Sequence, residues 1–131
     1  MAISALLNLY AVPPTEVSVL LTGDEQMRRL NREFRQIDST TDVLSFPTAD
    51  MPHESLGDIA ISIPLATAQA KERGVPRDTE LAFLAVHGAL HLLGFDDRTE
   101  NQRVDMLRRM NEVARLVGLP EDVNWSSQPH G

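Results

Sequence analysis

Residues 16–22, EVSVLLT, alternate apolar and polar side chains, which predicts a half-buried strand with Val17, Val19 and Leu21 turned inward. A helical period follows, with Met27, Leu30 and Phe34 on one face; Thr22 and Glu25 have the spacing of a capping box at its start. DSTTDVLSFP then predicts a short strand over 42–46, closed by Pro47, and 48–55 form a loop in which His53 lies among polar residues as a surface side chain. In LGDIAISI, residues 56–63, Ile59, Ile61 and Ile63 fall on one face of another strand. Pro64 opens a helix that runs through Leu65, Ala68 and Ala70 to a stop at Gly74. Asp78 or Thr79 caps a long, almost wholly apolar helix containing LAFLAVHGALHLLGF. Thr99 caps the last helix, whose inward residues are Val104, Leu107, Met110, Ala114 and Val117, and Gly118 and Pro120 end it. The tail NWSSQPHG, 124–131, has no period and is expected to be mobile, with His130 in no ligand-like setting.

Three strands and four or five helices, one of them too apolar for a surface, predict an α+β fold: a single layered domain over 1–123 in which helices pack a small mixed sheet around that central helix. The 131 residues suffice for one core without staples. There is no internal repeat and no glycine-rich phosphate loop, since Gly23, Gly57 and Gly74 stand alone. A net charge of −7 argues against a protein that coats nucleic acid nonspecifically, so any such role must be local. One candidate patch is Arg28, Arg32 and Arg35, at i, i+4 and i+7; by charge pattern alone it reads as an ordinary solvated face. The chain has no cysteine, so a metal must be held by nitrogen and oxygen, and a reducing compartment is compatible with that composition. Residues 3–12 are apolar but lack a basic flank and are interrupted by Asn8, which predicts neither a signal peptide nor a membrane span.

The chemistry concentrates in HGALHLLGFDD, residues 87–97. His87 and His91 are four apart, so both imidazoles lie on one helical face about 6 Å apart along the axis. Gly94 suits a left-handed helix stop, which lets the chain double back and bring Asp97 to the same face. Three ligands with an open fourth position describe a catalytic metal site better than a structural one. A paired histidine motif alone is more often packing or surface; the glycine and aspartate reverse that balance, and an imidazole buried in so apolar a run needs a partner. In HExxH metalloproteases the residue after the first histidine is the glutamate base, and here it is Gly88, so a peptidase has lost its base. Metal-assisted hydrolysis by another arrangement remains.

FRQIDSTTDVLSFP at 34–47, LGDIAIS at 56–62 and HGALHLLGFDD at 87–97, in that order, resemble the YbeY family of metal-dependent endoribonucleases over roughly residues 16–118. The resemblance implies a cytoplasmic, single-strand-specific endoribonuclease acting in 3′ end maturation of small-subunit (16S) ribosomal RNA and in ribosome quality control. It further implies single-stranded and ribosomal RNA and the small ribosomal subunit or its proteins as partners, with no membrane, and zinc as the usual ion. The metal positions map to His87, His91 and Asp97, and the family's functional arginine maps to Arg35, which raises the arginine stripe above a solvated face. Many members carry histidine at the third ligand position. Aspartate there adds negative charge, lowers the Lewis acidity of the ion and favours harder metals, leaving nickel, manganese or iron open beside zinc. Related chains also carry a further strand before the first helix, whereas about fifteen residues precede Glu16, which puts that edge strand and the contacts made there in question.

The expected activity is therefore hydrolysis of RNA phosphodiesters, with Arg35 on the scissile phosphate and the ion activating water or polarising a phosphoryl oxygen. Asp58 and Asp96 are read as side chains that fix the cleft by hydrogen bonds, and the general acid is not identified. The alternatives are a noncatalytic ribosome-assembly metalloprotein and an iron oxygenase with a facial triad of two histidines and a carboxylate.

Overall fold

The computed structural model describes residues 16–37, 41–47, 55–122 and 125. His53, His130 and the stretch before Glu16, on which the question of a further strand turns, lie outside them. Among the described residues the order is β1 (Glu16–Thr22), α1 (Asp24–Arg35), β2 (Val43–Pro47), β3 (Ser55–Ser62), α2 (Ile63–Arg73), α3 (Arg77–Leu92) and α4 (Glu100–Val117). The sheet has the order β1-β3-β2, with β1 parallel and β2 antiparallel to β3, so it is mixed as expected.

Period-two alternation in the two inner strands divides the molecule into layers. Val43, Ile59 and Ile61 turn into one core with α2, α3 and α4, whereas Leu44 and Ala60 turn to the other face, where Met27 of α1 packs. The α1 helix and the histidine helix α3 therefore lie on opposite faces of the sheet. Ser45, facing α3, donates its hydroxyl proton to the Gly88 carbonyl at 3.0 Å and ties β2 to that helix.

Several local expectations give way to packing. Val19, Leu20 and Leu21 of β1 are all exposed: among the described residues β1 is an edge of the sheet, and no described helix covers it. Thr22 stays in β1, so the capping box with Glu25 does not form; Gly23 is the N-cap of α1, and Asp24 in its first turn accepts a hydrogen bond from Ser62 Oγ at 3.1 Å. The same hydroxyl accepts from Leu65 N–H and caps α2, which takes Ile63 into its first turn rather than leaving it in β3. Phe34 is 61 % exposed, touching Phe46 edge-on at 5.0 Å instead of entering the core.

Neither Asp78 nor Thr79 caps α3, which starts after Pro76 with Asp78 and Glu80 in its first turn. Thr99 does cap α4, in a full capping box with Gln102. The buried stripe of α4 is Met106, Met110, Val113 and Ala114, rotated from the expected one so that Val104 is exposed. Trp125 falls within the stretch expected as a tail, and it is buried in the main core.

Candidate metal centre

α3 is buried over most of its length because it sits between the sheet and α4. Its close approach to the sheet occurs at Gly88, where an added Cβ would meet Ile59 Cγ2 at 2.9 Å and Ser45 Oγ at 3.1 Å. The residue after the first histidine therefore faces the sheet, away from the ligands. The missing glutamate of HExxH reflects that orientation, since a side chain at this position has no room.

The helix ends in a Schellman motif. Gly94, at φ +102°, donates its N–H to the His91 carbonyl at 3.0 Å, and Phe95 N–H reaches the Leu90 carbonyl at 3.0 Å. A side chain other than glycine is strained at that φ. The turn is then locked from two sides. Asp96 Oδ1 accepts the Asp97 N–H at 2.8 Å, and its other oxygen pairs with Arg98 Nε at 3.2 Å. From α4, Arg103 donates to the carbonyl oxygens of Asp97 and Arg98 at 3.2 and 3.3 Å, while the guanidinium of Arg109 lies 4.3 Å from the centre of the Phe95 ring.

These constraints bring three donors together. His87 Nε2 and His91 Nε2 are 3.2 Å apart, and Asp97 Oδ2 lies 3.3 Å from the first and 3.5 Å from the second. A tetrahedral ion with bonds of about 2.0–2.1 Å requires ligand separations of about 3.3–3.4 Å. The separations therefore fit a divalent ion, for which the described residues supply three donors. His87 is buried, whereas His91 and Asp97 are partly exposed.

The other expected residues fall elsewhere. Arg35 is exposed in the last turn of α1, across the sheet from α3, and is not brought into contact with the triad. Phe34 beside it touches Phe46, so the last turn of α1 and the triad helix flank the same edge strand, β2. Asp58 is exposed on β3, and Asp96, expected to fix the cleft by hydrogen bonds, accepts the N–H of Asp97.

Sequence reasoning missed Trp125 and Glu80 behind the site. Glu80 is fully buried on α3, and both its oxygens accept from Trp125 Nε1 at 3.0 Å, with Arg73 3.6 Å away. Burial raises its carboxyl above the usual carboxylate range, against the lowering effect of the Arg73 guanidinium and the indole N–H. A glutamate at the i+3 position of an apolar helix was the only sequence signal, and its partner is 45 residues away.

The family profile described as Endoribonuclease YbeY matches residues 2–118. A relative from Roseiflexus sp. (strain RS-1), named Endoribonuclease YbeY, is 46 % identical over 119 residues, covering 83 % of this chain and 74 % of that protein. A second of the same name, from Synechococcus sp. (strain JA-2-3B'a(2-13)), is 44 % identical over 134 residues, covering 95 % of this chain and 82 % of its own. The solution structure of a Thermotoga maritima protein superimposes with a TM-score of 0.59 at 25 % identity, covering 89 % of this chain and 81 % of that one.

Proposed function

The chain belongs to the Endoribonuclease YbeY family, and from that premise and the His87–His91–Asp97 triad we propose that it is a metal-dependent endoribonuclease that hydrolyses single-stranded RNA. The observation that carries the metal half of this reading is the separation of the three donors, 3.2, 3.3 and 3.5 Å. A bound ion there supplies Lewis acidity toward a phosphoryl oxygen and lowers the pKa of water. His87, His91 and Asp97 would hold that ion, and the packing of α3 on the sheet disfavours a carboxylate base at position 88. The biological substrate is proposed to be precursor small-subunit (16S) ribosomal RNA at its 3′ end, in the cytoplasm, with the small ribosomal subunit or its proteins as partners and a further role in ribosome quality control. No described helix is long and apolar enough to cross a membrane. Nothing in the fold or the relatives favours a noncatalytic assembly module or an iron oxygenase.

Zinc is the proposed ion, because cis positions of an octahedral site with bonds near 2.1 Å lie only about 3.0 Å apart. Aspartate at position 97 pulls toward harder ions. Asp97→His, with a neutral third donor, is expected to keep the site and shift its preference toward zinc over manganese or iron in competition titrations. An Asp97→Ala protein that binds the ion as tightly as the parent removes Asp97 from the ligand set.

Arg35 is proposed to hold the scissile phosphate, approaching the RNA backbone from the β2 edge while the triad helix lies beyond that strand. Its exposure predicts that Arg35→Ala leaves thermal stability and metal content intact. Single-turnover cleavage of a single-stranded RNA should fall on the order of a hundredfold, the usual loss of a charged contact that strengthens in the transition state. Arg35→Lys should recover part of that rate, keeping the charge without the bidentate fork. Cleavage at the parental rate by Arg35→Ala takes the arginine out of the mechanism. The activity as a whole is tested by chelation and zinc add-back on the same RNA, where a rate indifferent to both overturns the metal-dependent reading.

A further inference from the structure

We propose that Trp125 is a positioning residue for the metal centre: its indole fixes the imidazole of His87 in the orientation that aims Nε2 at His91 and Asp97. The inference rests on the metal reading of the triad. The chain supplies one tryptophan, and it is placed against the buried ligand, with ring centroids 5.3 Å apart and planes inclined at 52°. The ring of His91 meets the same imidazole edge-on at 4.7 Å. Rotation about the terminal torsion of a histidine is soft and roughly two-fold, so an imidazole without walls turns its ring nitrogens away from an ion readily. Here two rings restrict it.

The indole is itself held along one stripe of α3. Glu80, Phe83 and His87 are at i, i+3 and i+7 of that helix, on one face. Glu80 takes the indole N–H with both oxygens at 3.0 Å, Phe83 stacks on the ring at 5.9 Å, and His87 closes the row. From α2, the guanidinium of Arg73 lies 5.2 Å from the indole centroid while also facing Glu80 and Asp122. The backbone of Asp122 is pinned in turn by Asn111 of α4, which accepts its N–H at 2.8 Å and donates to its carbonyl at 3.1 Å. Three side chains, Glu80, Phe83 and Arg73, thus hold the indole that packs on His87. Groups behind metal ligands commonly set affinity in this way, and their loss costs about 10–100-fold in binding.

The test is zinc affinity by competition with a chromogenic chelator, measured on the full chain well below its unfolding temperature. Trp125→Ala is expected to bind zinc about 10–100-fold more weakly. Trp125→Phe, which keeps an aromatic wall and loses the N–H to Glu80, is expected to lose less than about tenfold. Val113→Ala, a change in the same core away from the ligands, serves as the control: it should lower the unfolding temperature without altering affinity. The emission of the single tryptophan should also change as zinc is added, saturate at one equivalent, reverse with EDTA, and stay constant in His91→Ala. A helical Trp125→Ala protein with parental affinity overturns the proposal. Should Trp125→Ala fail to fold, a wild-type emission unmoved at zinc saturation overturns it equally. A wild-type protein that takes up no zinc overturns the metal reading first, which separates the two failures.

Discussion

His87→Ala and His91→Ala are each expected to lose bound metal on dialysis against a mild chelator and to reduce RNA cleavage to the rate of the metal-free protein. Each removes one of the three donors that the described residues bring together. Metal binding to such sites is worth on the order of 10 kcal/mol or more, so losing one of three donors leaves too little to hold the ion at micromolar concentration. The two variants should differ in stability. His87 is 4 % exposed and packs on Trp125, and its truncation leaves a cavity costing about 2–4 kcal/mol, whereas the partly exposed His91 should cost less. Elemental analysis and thermal melts on the same apo samples check both statements. Full metal stoichiometry in both variants eliminates the triad.

Gly88→Glu, which writes HExxH into the chain, is expected to unfold or severely destabilise the protein and to confer no peptidase activity. The first added carbon would lie 2.9 Å from Ile59 Cγ2 and 3.1 Å from Ser45 Oγ, so the side chain enters the contact between α3 and the sheet. Overpacking of that kind costs about 1–3 kcal/mol, and a carboxylate desolvated without a partner adds several more. The total approaches the whole stability of a domain of this size, about 5–15 kcal/mol. Gly88→Ala isolates the steric part: Ala is the better helix former by about 1 kcal/mol, so a net loss would measure the clash. A folded Gly88→Glu protein that hydrolyses peptides would show that position 88 faces the ligands and that this account of α3 is wrong.

The local code was most legible where one element supplies all the information. The triad lies within eleven residues, and its assembly needs only helical spacing, a glycine that accepts a left-handed turn and a short return, so His87, His91 and Asp97 could be joined without a fold. The capping box at Thr99 and the stops at Gly74, Gly94 and Gly118 are local in the same sense. On α4 the expected Met110 and Ala114 are buried and Leu107 packs on the core, but Met106 rather than Val104 points inward in the first turns, a choice between two apolar residues that depends on the rotation set by α3. The inward turn expected for Val19 and Leu21 of β1 failed, because alternation specifies two faces and not whether a described helix covers either.

By itself the sequence pointed to the class of fold, to His87, His91 and Asp97 as a group that could hold an ion, to glycine in place of a glutamate base and, through three ordered motifs, to the family. The tertiary structure alone decided the rest. That α1, which carries Arg35 in its last turn, and α3 lie on opposite faces of the sheet follows from which face of Leu44 and Ser45 each helix occupies. That Gly88 is obligatory follows from the distance between a helix and two strands remote from it in sequence. That Trp125 stands behind His87 follows from contacts spanning 38 to 52 residues, whose partners become neighbours only when burial of the common core brings α2, α3 and the chain beyond α4 together.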